Sequence, residues 1–147
     1  MKKLSILFSL IISLVFVSSA TAQTPTVVTF AKGATEKTMT ITVAAGKTNK
    51  YSITVKKDQV INVGVEGDIN VSKTTEFPVI SVNAANAVED VDQTQDGEGY
   101  LSILAGRNGK FIIDVANSDK KRARTFTIKF KVTDDKADFA GGEEVDQ

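Results

Sequence analysis

From Thr38 onward, apolar and polar side chains alternate in run after run, and that period of two limits the chain to strands with one dry and one wet face. Thr38-Met39-Thr40-Ile41-Thr42-Val43 sets Met39, Ile41 and Val43 on one side and threonines on the other. Tyr51, Ile53 and Val55 repeat the pattern, as do Ile61, Val63 and Val65, then Phe111, Ile113 and Val115, and finally Phe126, Ile128, Phe130 and Val132. Shorter runs at Val27 to Phe30, Val79 to Val82 and Tyr100 to Leu104 bring the expectation to about eight or nine strands. Turn formers separate them: Gly46, Gly67-Asp68, Asp96-Gly97, Gly106 to Gly109 and Asn117-Ser118-Asp119. No segment carries apolar residues at helical spacing over three turns, and only Ala84 to Val91 has the composition for a helical turn.

Sheets that are dry on one face must stack those faces together, so the alternation predicts an all-β, antiparallel β-sandwich. A closed barrel satisfies the same alternation and is the alternative. On the dry phase lie Tyr51, Phe111, Phe126, Phe130 and Phe30, which are therefore core candidates. Threonines and lysines on the wet phase suit solvent and discourage edge-to-edge pairing.

The first 22 residues have a different character. Met1-Lys2-Lys3 is a positive start, Leu4 to Val17 is an apolar run, and Ala20-Thr21-Ala22 has the small-x-small form of a cleavage site, so residues 1–22 read as a cleaved secretory signal. A membrane span needs about 20 apolar residues, more than this run supplies. Acylation as a lipoprotein needs a cysteine, and the chain has none. The expected organisation is thus a signal at 1–22, a β-sandwich at 23–132 and an acidic, mobile tail at 133–147, in a secreted or periplasmic protein without a membrane span.

Composition narrows the chemistry. The chain has no histidine, cysteine or tryptophan, which excludes a Ser-His-Asp triad, a Cys-His pair, an imidazole or thiolate zinc site and a disulfide framework. Its 18 basic residues balance 18 acidic ones, giving no field to gather nucleic acid. Glycosidase chemistry needs only two carboxylates, yet no pair sits in an apolar setting that would raise one of them. Asp114, between Ile113 and Val115, falls on the solvent phase of its strand. No enzyme is expected.

Phe30-Ala31-Lys32-Gly33-Ala34-Thr35, then Gly46 followed by Tyr51-Ser52-Ile53-Thr54-Val55, then Asp58-Gln59-Val60-Ile61-Asn62-Val63 form a sequence of turns and strands. It resembles the bacterial pre-peptidase C-terminal domain, with its Gly-rich turn, Tyr strand and Gly-Gln pair opening the next strand. Gly109 to Val115 looks like that family's Gly-x-Tyr strand, and Phe126 to Phe130 like its closing strand. Asp58 stands where the family has glycine, Phe111 where it has tyrosine, and residues 66–100 match no part of the pattern. The resemblance implies a jelly-roll-like sandwich, a secreted bacterial setting and a binding or secretion-related role without catalysis.

Two charged clusters are candidate sites. Glu89 to Gly99 holds five carboxylates among flexible glycines, and Asp90, Asp92, Asp96 and Glu98 are candidate calcium ligands, since calcium takes six to eight oxygens from such loops. The spacing is not that of an EF-hand, and a solvated loop joining two strands is the competing reading. No cofactor other than calcium is expected. Lys120, Lys121, Arg122 and Arg124, between two strands, are candidate ligands for sulfated or phosphorylated polymers, against the alternative of a soluble hairpin tip. Tyr100 and Phe77 are the aromatic residues left for a sugar platform, with Phe77-Pro78 equally suited to enter an edge strand. Asn70-Val71-Ser72 has the form of a glycosylation sequon.

Together these features describe a non-catalytic, exported binding or interaction module of pre-peptidase C-terminal type. Its partner would be an envelope or extracellular protein or a polysaccharide. The alternative is a structural or assembly protein of the cell envelope that self-associates or joins a larger complex.

Overall fold

Alternating side chains become strands wherever the chain can pair. The computed structural model describes residues 23–68, 77–83, 91–97 and 99–139, and the signal reading, the Ala84 to Asp90 part of the helical-turn reading and the sequon lie outside them. Among the described residues nine strands follow in order: β1 (Thr26–Val27), β2 (Glu36–Val43), β3 (Thr48–Val55), β4 (Val60–Asp68), β5 (Val79–Val82), β6 (Val91–Gly97), β7 (Tyr100–Ala105), β8 (Gly109–Ala116) and β9 (Arg124–Thr133). The strands expected from alternation are all present. β6 was not among them, because Val91-Asp92-Gln93-Thr94-Gln95-Asp96-Gly97 carries one apolar residue and no period to read.

The strands form two separate sheets, β1-β3-β8-β5 and β2-β9-β4-β7-β6, which makes the fold a sandwich and not a barrel. Every pairing is antiparallel except β1 with β3, where Thr26 and Val27 run parallel to Tyr51 and Ser52. Successive strands change sheet at each step but one, β6 to β7, which is the connectivity of a jelly-roll-like sandwich.

The dry faces meet as the periodicity requires. Ile53, Phe111, Ile113 and Val115 of the first sheet and Ile61, Ile103, Ile128 and Phe130 of the second are all fully buried in one core. Tyr51 reaches across the layers to Phe130, ring centroids 5.5 Å apart and tilted by 48°. Burial raises the Tyr51 hydroxyl above its ordinary pKa, with a weaker opposing effect from Asn49. Phe30, outside any strand, packs against the core's margin. Fully buried aromatic rings of this kind typically contribute about 3–5 kcal/mol each.

Segments joining the two sheets are held by side chains. Asn117, 4% exposed, donates its amide to the carbonyls of Val43 (3.1 Å), Ala44 (3.3 Å) and Arg122 (2.8 Å). One side chain thereby ties the end of β2, the end of β8 and the approach to β9. Asp58 in the β3–β4 turn has φ of 68°, a left-handed conformation that glycine adopts more readily than a residue with a side chain. The chain beyond residue 132 does not begin as a free tail. β9 runs through Thr133, and Lys136–Asp138 form a 3-10 turn capped by the Asp135 carboxylate, which accepts from the Ala137 N–H.

Candidate functional site

On the wet face of the five-stranded sheet a groove of about 350 Å³ runs over the middle of β4. Its floor is Gly64, which pairs with Tyr100 of β7 on one side and Lys129 of β9 on the other. A side chain at Gly64 would meet nothing within 4 Å, so the missing Cβ is what opens the groove. Tyr100 gives it an aromatic wall and Asn62, Lys129, Lys131 and Asp138 a polar rim, while Val63, Val65 and Leu101 border it with side chains that belong to the core beneath.

That rim is fixed by hydrogen bonds. Ser102 donates to the Asn62 carbonyl oxygen at 2.6 Å, and the Asn62 amide donates to the Asp138 backbone carbonyl at 2.9 Å. Lys131 meets the Asp138 carboxylate at 2.9 Å, which holds the carboxyl below and the ammonium above their ordinary ranges. Lys129 pairs more loosely with Glu36 of β2, at 3.6 Å. The 3-10 turn is thus pinned to the groove by a residue that sequence reading had assigned to a tail.

The basic cluster divides. Arg124 is only 12% exposed and pairs with Asp119 at 2.9 Å, so it is committed to the fold. Asp119, equally shielded, also accepts from the backbone N–H of Lys121 (2.8 Å) and Arg122 (3.1 Å), and these bonds, with Arg124, hold its carboxyl below the usual range. Lys120, Lys121 and Arg122 remain exposed. Because β8 and β9 belong to different sheets, this segment is a crossover between layers, not the tip of a hairpin. Asp119 was legible only as a turn former; its role as the hub of the turn follows from its neighbours in space.

Of the candidate calcium ligands, Asp92 and Asp96 lie on β6, so this part of the expected loop is a strand. Asp92 sits at the register shift between Val91 and Gln93, and Asp96 pairs with Leu101. Asp90 and Glu98 lie outside the described residues. Phe77, 39% exposed, leads into β5, an edge strand as its Phe-Pro pair suggested, and packs on Gly99. Asp114 is on the outer face as expected, but Lys50 (3.1 Å) and Asn83 (2.7 Å) hold it there. Among the described residues, both carboxyls with a resolved shift, Asp119 and Asp138, move down, opposite to what a general acid needs.

The sequence matches no protein-family model and no curated protein. Solved structures do match the fold. A periplasmic inhibitor of g-type lysozyme from Aeromonas hydrophila aligns with a TM-score of 0.58 at 20% identity, covering 75% of this chain and 96% of its own. The corresponding inhibitors from Escherichia coli, as a mutant, and Salmonella Typhimurium both align at 0.55, with 16% and 17% identity, covering 76% and 77% of this chain and 100% of their own. Among the described residues, no helix is long and apolar enough to cross a membrane. At these identities the likeness establishes that this chain has the sandwich of those inhibitors.

Proposed function

We propose that this chain is an exported, non-catalytic protein that binds a lysozyme-type muramidase outside the cytoplasm and blocks it, with the groove over Gly64 as its docking surface. The observation that supports this reading is the extent of the likeness: the sandwich accounts for 96 to 100% of the length of three inhibitors of g-type lysozyme. The groove has the make-up of an interface centre, an aromatic side chain beside an open glycine floor, ringed by polar groups already fixed in place. Rigid rims of this kind lose little conformational entropy when a partner's loop enters. The residues behind the pre-peptidase C-terminal resemblance, Gly46, Tyr51 and the Asp58-Gln59 pair, occupy turns and core, so they speak for architecture and leave the partner to be read from the groove.

Titrating the purified chain into a cell-wall lysis assay with g-type lysozyme tests the proposal. Activity should fall to a stoichiometric end point, and Gly64→Val, which sets a branched side chain on the groove floor, should weaken the inhibition at least about tenfold. Full lysozyme activity at a large excess of the chain defeats the reading. Inhibition that survives Gly64→Val moves the docking surface elsewhere.

A further inference from the structure

The end of the sandwich opposite the β3–β4 turn carries a second surface of different chemistry. There the β2–β3 turn and the β8–β9 crossover are bonded into one body: the Gly46 N–H donates to the Asp119 carbonyl at 2.8 Å, and the Asn117 N–H to the Lys47 carbonyl at 2.9 Å. Gly46, at φ of 61°, lies against the Lys120 stem, where a Cβ would be 3.7 Å from its Cγ. Lys47, Lys120, Lys121 and Arg122 project from this body, all exposed. Among the described residues the three lysines have no carboxylate partner, and Arg122, 77% exposed, has only a 3.8 Å approach to Asp119, whose charge Arg124 already balances. At the other end, by contrast, Lys56, Lys57 and Lys136 are interleaved with Asp58, Asp134 and Asp135, and Lys136 pairs with Asp58 at 3.2 Å.

We infer that this tip binds polyanionic glycans bearing sulfate or phosphate groups, through Lys47, Lys120, Lys121 and Arg122. Three features select that class of ligand. The cations, the lysines unpaired among the described residues, are mounted on a turn whose backbone is already fixed by Asn117 and Asp119, so little order is lost on binding. The N–H groups of Lys121 and Arg122 are occupied by Asp119, so recognition falls to side-chain charge and not to a backbone anion nest. Residues 44–47 and 117–123 contain no side chain larger than alanine that is apolar, and so lack the aromatic or aliphatic anchor on which a protein interface centres. Binding here is independent of muramidase inhibition at the groove on the sheet's face.

Retention of the full chain on immobilised heparin, with polyphosphate and polyglutamate as soluble competitors, tests this. Heparin should hold the wild-type chain at low salt, and affinity should fall about fifty-fold between roughly 50 and 200 mM salt, as release of counterions from four phosphate-like contacts predicts. Polyphosphate should elute it and polyglutamate should not. The K47S/K120S/K121S/R122S variant should flow through while melting like the wild type. A variant with the same loss of charge elsewhere, K32S/K56S/K57S/K110S, should still be held. Passage of the wild type through the column, retention of the tip variant, or elution by polyglutamate as readily as by polyphosphate would overturn the proposal; the last would point to an acidic protein.

Discussion

Arg124 holds Asp119 at one oxygen while the backbone holds it at the other. The guanidinium reaches Oδ2 at 2.9 Å through Nη2 and 3.2 Å through Nε, and Oδ1 accepts from the Lys121 and Arg122 N–H groups. Both side chains are 12% exposed, so the pair is largely shielded from solvent in a turn that is otherwise highly charged. A sequence that reads as a run of cations is, in space, a crossover organised by one carboxylate.

Acid should therefore loosen this crossover. The folded-state pKa of Asp119 lies below its unfolded value, so its contribution is present at neutral pH and is lost as pH falls through the carboxylate range, from about 4 downward. Thermal melts across that range should show a decline for the wild type that is shallower in Asp119→Asn, which keeps an acceptor for the N–H groups but cannot ionise. Asp119→Ala should melt below Asp119→Asn at neutral pH. Parallel acid profiles for wild type and Asp119→Asn would show that the carboxylate charge is idle.

Asn117 offers a harsher test of the same end. Its amide is the donor for three carbonyls from separate segments, so Asn117→Ala leaves buried acceptors unsatisfied and should cost about 2 kcal/mol. Asn117→Asp should cost more, since a carboxylate would face those carbonyls with nothing to donate. Urea unfolding at neutral pH measures both, and an Asp variant as stable as wild type would mean that the carbonyls have other donors.

At Asp58 the prediction runs the other way. Its φ of 68° strains a side-chain-bearing residue by about 1–2 kcal/mol, partly offset by the freedom glycine gives the unfolded chain. Asp58→Gly also gives up the exposed pair with Lys136, worth a few tenths of a kcal/mol. A net gain of about 0.5 kcal/mol should follow, a rise of about 2 °C in melting temperature. Asp58→Ala keeps the strain and loses the ion pair, so it should melt below the wild type. If both variants melt alike, backbone strain at this turn is not what distinguishes them.

These positions show where sequence reading works. Periodicity of two was enough for β2, β3, β4, β8 and β9 and for the burial of Phe111, Phe126 and Phe130, because strand phase and burial are properties of consecutive residues. It did not reveal β6, whose polar run becomes a strand only through pairing with β7. The groove was equally hidden. Gly64 reads as an interruption in a strand, and only the register with Tyr100 and Lys129 shows that the interruption is a floor with walls. Likewise, nothing in the acidic run after Thr133 signals that Asp138 would meet Lys131 and Asn62, since those partners come from two other strands' phases.

Gly64 gives the sharpest separation of fold from function. It lies mid-strand without a left-handed φ, and a β-carbon there would meet nothing within 4 Å. Valine suits a paired strand better than glycine and restricts the unfolded chain, so the variant should be more stable by about 0.5–1 kcal/mol. The same side chain would occupy the groove between Tyr100 and Lys129. A raised melting temperature together with weakened lysozyme inhibition would assign the groove to binding, because loss of structure could not account for the loss of activity. A lowered melting temperature would instead show that the glycine is needed by the strand itself, and the groove would then be a by-product of how β4 packs.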